Sequence, residues 1–239
     1  MLNVRKIKIF GITFFDANYK EIKKMLDRGG LLVLPSGPGM STIDKDKNYY
    51  NALKNSDIAL FDSGYLCLLL RILKGIKVKK FSGFIFFKDF INSLKNENKK
   101  KIFLVEPNKK QLEINKKFLN SKNIYKIYQY IAPIYQKEKI KDYKLLKKIQ
   151  KIKPKYVVIN LGGGVQEVLG SFLKNNINYK VSIICTGAAI SYFTKQQAPL
   201  NVFLDKIYLG WLIRIIFNPF VFLPRYLSAF RLIFIVNKI

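Results

Sequence analysis

YVVINLGGGVQEVLGSFLKNN, residues 156–176, reads as a strand, a glycine turn and a helix in immediate succession. The run YVVIN is rich in β-branched residues and carries no charge, as a strand covered on both faces requires. VQEVLGSFLKNN has helical spacing and follows at once. Three glycines between the two let the backbone approach a ligand closely, or simply let a turn close. The loop lacks both GxGxxG and the Gly-Lys-Ser/Thr of a phosphate loop, so by itself it does not specify a phosphate.

The same alternation extends in both directions. Strands are expected at 7–10, 31–35, 58–61, 101–105, 123–131 and 180–185, with 78–81 extended. Helices are expected at 17–28, capped by Asp16, and at 47–56, 65–74, 86–96, 109–120 and 141–153. Repeated strand–helix units imply an α/β fold, a Rossmann-like parallel sheet flanked by helices. Ligands of such sheets bind at the carboxyl ends of strands. The loops to search are therefore Ser36–Met40, Asp62–Gly64, Glu106–Asn108, Gly162–Gln166 and Thr186–Ala189.

The chain of 239 residues is 49% hydrophobic, enough for a full core, and carries a formal net charge of +28. That charge suits a phosphate-rich partner, although lysine spread over a solvated surface would give the same total. Arginine is more selective: only Arg5, Arg28, Arg71, Arg214, Arg225 and Arg231 occur, and three of the six lie in 206–239. There is no histidine, which removes Ser-His-Asp and Cys-His catalysis and leaves base chemistry to a carboxylate or lysine. No metal or other cofactor is expected, with a carboxylate-bound magnesium left open. Cys67 and Cys185 sit in apolar runs and read as core thiols. No signal peptide and no stretch of 18 uncharged apolar residues are found.

Several loops carry candidate chemistry. Asp62 in FDSGY ends a strand and can deprotonate a hydroxyl, or it can cap the next helix. Ser36 and Gly37 in LPSGPGM can receive an anion or a sugar, or form a plain turn. Thr186 and Gly187 in CTGAA repeat the small-residue loop of Gly162 and Gly163, which together suggest a nucleotide crevice. Gln166 and Glu167 begin a helix and can reach a ribose or base. DKD, 44–46, reads as a solvated cap. The segment 206–239 contains no acidic residue and is dominated by aromatic and aliphatic side chains broken by Pro219 and Pro224. It has the composition of an interfacial membrane segment, with Trp211 and Tyr226 at the boundary, or of a docking helix.

These residues resemble the WecG/TagA/CpsF glycosyltransferases, glycosyltransferase family 26, from about 7 to 231. The matching stretches, in order, are LPSG, DSG, KFSG, GGGVQE, QAP, GWLIR and NPFVFLPRYL. The resemblance implies inverting transfer of an N-acetylmannosamine-type sugar from a UDP-sugar to a polyprenyl-diphosphate-linked saccharide in cell-surface polysaccharide synthesis. It places Asp62 as general base and Gln166 and Glu167 at the sugar-nucleotide pocket. Ser36, Gly37, Lys80, Gln197, Arg214 and Arg225 fall on the acceptor and phosphate side. Residues 1–205 would form the core, and 206–239 a helical appendage touching an anionic membrane through Trp211, Phe222 and Tyr226. The enzyme would be cytoplasmic and peripheral on the inner face of the plasma membrane, with homo-oligomerisation left open. Leu34, Ser36, Lys80, Gly164, Val165, Gln197 and Gly210 depart from the family pattern and mark a divergent branch. The alternative is a basic protein that binds nucleic acid or a membrane surface without catalysis.

Overall fold

The computed structural model describes residues 4–94, 101–136, 139–200, 202–206 and 208–238. β1 (Arg5–Ile9) and β2 (Ile12–Asp16) open the chain. Then come α1 (Tyr19–Leu26), β3 (Gly30–Val33), the single-turn α2 (Gly37–Met40), α3 (Lys47–Lys54), β4 (Ile58–Leu60) and α4 (Gly64–Lys74). α5 (Gly83–Leu94), β5 (Ile102–Glu106), α6 (Lys109–Asn120), β6 (Ile127–Ile131) and α7 (Tyr143–Ile152) follow. β7 (Tyr156–Ile159), α8 (Val165–Asn176) and β8 (Ser182–Cys185) complete the sheet. A 3₁₀ segment, Gly187–Tyr192, leads to the tail helices α9 (Val202–Lys206), α10 (Gly210–Phe217), α11 (Pro219–Ala229) and α12 (Leu232–Asn237).

The eight strands lie in the order β1-β2-β4-β3-β8-β7-β5-β6. All neighbours are parallel except the β1–β2 hairpin. Strand periodicity divides the side chains between two helix layers. Leu31, Val33, Val157, Ile159, Ile183 and Cys185 face one apolar cluster with Leu66, Leu70, Leu169 and Leu173. Leu32, Leu34, Tyr156, Val158 and Ile184 face the other, with Phe86, Phe87 and Phe90. Burial on both faces explains why these strands read as unbroken apolar runs. Both cysteines are free and buried.

Within the deciding stretch, Gly164 takes φ +87°, a backbone conformation that other residues rarely adopt, and it closes the turn into α8. Gly170 lets that helix approach the sheet: a Cβ there would lie 2.7 Å from Leu31 Cδ1 and 3.0 Å from Cys185 Sγ.

Some local expectations change. Asp16 does not cap α1; it ends β2, 3.5 Å from Arg5, and Asn18 makes the capping box with Glu21. Residues 78–81 form no strand, and β6 begins only at Ile127. The expected end of the helix at 95–96 lies outside the described residues. In DKD, Asp46 caps α3 as read, whereas Asp44 pairs with Arg231. By length and composition Pro219–Asn237 is apolar enough to cross a membrane, where the sequence reading finds no span because Arg225 and Arg231 interrupt it. Here it folds as α11 and α12, and Leu232, Ile235 and Val236 pack into the core cluster that includes α4 residues.

Candidate active site

Beyond the carboxyl ends of β4, β3, β8, β7 and β5 lies one cavity of about 1270 Å³, roofed by the tail helices. Every residue singled out in the sequence as catalytic, ligand-binding or membrane-facing lines it. The volume exceeds the ~300–1,000 Å³ usual for a single small ligand.

Asp62 follows β4. It is not the cap of α4: Ser63 fills that position, with its Oγ accepting from Leu66 N at 3.2 Å. The Asp62 carboxylate is free to face the cavity, held by one bond in which Gly83 N donates to Oδ1 at 2.7 Å. Desolvation pushes its carboxyl above the usual range, against the Gly83 bond and the nearby Arg214 and Lys80 cations, with Asp205 reinforcing the rise. A carboxylate with raised proton affinity beside a cavity is suited to act as a base.

The glycine loop forms a second wall. Gly162 and Gly163 have open space where a Cβ would stand, so a ligand can come against the backbone there. Gln166 and Glu167 are buried, and their hydrogen bonds go to the loops. Gly187 N donates to Gln166 Oε1 at 2.7 Å, and Gln166 Nε2 donates to Glu167 Oε1 at 2.9 Å. Gly164 N donates to Glu167 Oε2 at 2.7 Å. The pair expected to touch the nucleotide thus shapes the two small-residue loops, after β7 and β8, that face it. Burial pushes the Glu167 carboxyl up to about 7. Thr186 Oγ1 beside them is buried with no partner among the described residues.

On the opposite side, Ser36 caps α2, its Oγ accepting from Gly39 N at 3.3 Å, so LPSGPGM is a helical turn rather than an open loop. Gly37 is buried against Ser63, where a Cβ would come within 2.8 Å of Oγ. Gln197 lies on the segment after the 3₁₀ turn and is tied there through its backbone N to Ser191 O at 3.2 Å. Lys80, expected to steady a phosphate, is committed elsewhere. Its Nζ donates to Asp205 Oδ1 at 2.7 Å and to Asp205 O at 2.8 Å, with the Tyr208 ring at 5.5 Å. Ser82 donates to the other carboxylate oxygen at 2.8 Å.

The tail adds two arginines to Lys80, Arg71 and Lys77. Arg214 Nη1 donates to Tyr226 Oη at 3.3 Å, and its guanidinium lies 5.2 Å from the Tyr192 ring and 6.0 Å from that of Phe222. Arg225 is exposed at the rim. Phe222, expected at the membrane, is buried and stacks on Tyr226 at 6.4 Å, while Trp211 meets Tyr226 edge-on at 6.2 Å. Trp211 is exposed, as are Ile216, Phe217, Phe220, Leu227 and Phe234.

Asp205, Ser82, Asn160 and Tyr192 also line the cavity and escape the sequence reading. Asp205 leaves one trace: it is the sole acidic residue after Glu167. Among the described residues, no three His, Cys, Asp or Glu side chains gather where they could hold a metal ion.

No curated protein matches the chain. The model of the glycosyl transferase WecG/TagA/CpsF family matches residues 3–239. The fold, the cavity and a match over nearly the whole length lead to one statement: the chain belongs to the WecG/TagA/CpsF family of glycosyltransferases, which act in cell-surface polysaccharide synthesis.

Proposed function

We propose that the protein transfers an N-acetylmannosamine-type or related sugar from a UDP-sugar to a polyprenyl-diphosphate-linked saccharide, with inversion. The observation that carries this reading is the single cavity that joins Asp62, the glycine loop of β7 and the tail arginines. Its volume has room for a nucleotide sugar beside part of an acceptor.

In this reading the Asp62 carboxylate takes the proton of the acceptor hydroxyl. The oxygen attacks the anomeric carbon as the bond to the diphosphate oxygen breaks, and UDP departs. One displacement inverts the anomeric centre. Negative charge growing on the diphosphate is met by Arg214 and Arg225 and by the open amides of Gly162 and Gly163. No cofactor enters these steps. Residues 206–239 act as an appendage that seats the cavity mouth on the cytoplasmic face of the membrane, where the lipid-linked acceptor resides. The exposed aromatics of α10–α12 support that role.

The test is UDP release from UDP-N-acetylmannosamine by the full chain, with the lipid-linked acceptor in vesicles. Asp62→Asn should lower turnover ~10²–10⁴-fold while UDP binding persists. Near wild-type turnover would remove Asp62 from the role of base.

A further inference from the structure

Buried polar atoms are nearly always paired, so those without partners point to what a site is built to receive. Among the described residues five buried side-chain atoms have none: Tyr65 Oη, Glu106 Oε2, Asn160 Oδ1, Thr186 Oγ1 and Tyr192 Oη. Four belong to residues lining the cavity, and the fifth sits on the carboxyl that holds Asn160. Asn160 follows β7 and is 6% exposed, and Glu106 ends β5 and is fully buried. Asn160 Nδ2 donates to Glu106 Oε1 at 2.6 Å, and Asn115 Nδ2 donates to the same oxygen at 2.9 Å. An ionised carboxylate only accepts, so it fixes the Asn160 amide with its nitrogen inward and leaves Oδ1 as a buried acceptor without a partner, on a residue that lines the cavity.

Position in the sheet says which part of a ligand meets it. Asp62 marks the reacting end, at β4. From β4 through β3, β8 and β7 to β5 is four inter-strand steps, ~19 Å. In the proposed transfer the diphosphate would come against Gly162 and Gly163, at the amino end of the twelve-residue α8, and the nucleoside would lie over β7 and β5. The polar groups a nucleoside adds there, and a phosphate lacks, include the adjacent hydroxyls of ribose. Those are hydrogen-bond donors, and residues of the wall carry buried acceptors without partners.

We propose that Asn160, oriented by Glu106, accepts a hydrogen bond from a ribose hydroxyl of the donor and makes the enzyme select ribonucleotide over deoxyribonucleotide sugars. This rests on the reading of the protein as a nucleotide-sugar transferase. Asn160 is the specificity-determining contact, and Glu106 is a positioning residue that acts through it. Pro107, also on the wall, continues the same surface beyond Glu106.

The experiment is calorimetric titration of the full chain with UDP, 2′-deoxy-UDP and 3′-deoxy-UDP. Burial pushes the Glu106 carboxyl up to about 7, so the titrations are run at pH 8, where it is ionised. The wild type should bind UDP about tenfold more tightly than at least one deoxy form, the weight of one hydrogen bond. Asn160→Ala should bring the affinities together. Glu106→Gln, whose amide can turn Asn160 over, should shrink the ratio as well. The readout is a ratio within one protein, so a general loss of affinity does not mimic it. Equal binding of all three by the wild type, or an unchanged ratio in Asn160→Ala, overturns the proposal and leaves the transferase reading standing. An unchanged ratio in Glu106→Gln removes Glu106 from its positioning role. No binding of UDP overturns both.

Discussion

The sheet with its helices and the tail of α9–α12 use apolar residues in opposite ways. In the sheet, Leu31–Val33, Tyr156–Ile159 and Ser182–Cys185 are covered on both faces, and their side chains divide between two closed clusters. In the tail, Phe220 is 92% exposed, Ile216 71% and Phe234 70%. Exposed aromatics gathered on one segment mark a surface built for a partner rather than a core. The tail is tied to the sheet by apolar packing of α12, by Lys80–Asp205 at its root and by Arg231–Asp44 near its end. One region supplies stability and the loops that end at the cavity; the other brings arginines over the cavity and offers a greasy exterior. The proposed chemistry sits where they meet.

The largest effect on that arrangement should come from Asp205→Ala. The Lys80 and Asp205 side chains are only 11% and 7% exposed, and breaking such a pair from one side leaves a buried charge unpaired. The expected loss is about 3–5 kcal/mol of stability, read from urea unfolding. A loss below 1 kcal/mol would mean that the tail root is not a fixed part of the fold. Next in size is Phe220→Ala. It should leave unfolding unchanged, since Phe220 is in solvent, but weaken flotation with anionic vesicles by about 1.5–3 kcal/mol, the weight of one large apolar side chain. Unchanged flotation would detach this face from the membrane. The smallest effect is expected for Asp44→Asn. Arg231 and Asp44 make two contacts, of 2.8 and 2.5 Å, but are 35% and 46% exposed, so solvent screens them and about 0.2–1 kcal/mol is at stake. A loss as large as that of Asp205→Ala would make the two ties equivalent.

The parallel sheet was legible because its strands are buried on both faces and its helices follow glycine or capping residues. The 109–120 and 165–176 helices are read to the residue. The β1–β2 hairpin was not legible. Its two-residue turn is Phe10–Gly11, both at positive φ, and phenylalanine gives no turn signal. The loops of the site were also readable, since glycines after strands announce themselves. What each polar side chain does in them was not. Lys80 and Asp205 are 125 positions apart, and no local pattern reveals that the lysine is spent on that aspartate. Gln166 and Glu167 looked like ligand contacts because they begin a helix behind a glycine loop; only the fold shows their hydrogen bonds turned onto the loops. Asn160 drew no notice because it continues the strand YVVIN, and its unpaired oxygen exists only once Glu106 stands beside it.

The proposed transfer requires a nucleotide to occupy the glycine-loop wall of the cavity. Gly163 has open space around its missing Cβ and an ordinary backbone conformation, so Gly163→Phe adds bulk to the cavity without straining the fold. The direct measurement is the shift of Tm by UDP in the wild type and in this variant, because a ligand that binds only the folded chain raises Tm. A clear rise is expected for the wild type and none for Gly163→Phe, with equal Tm values before UDP is added. Equal rises in both proteins, or no rise in the wild type, would contradict the proposed transfer.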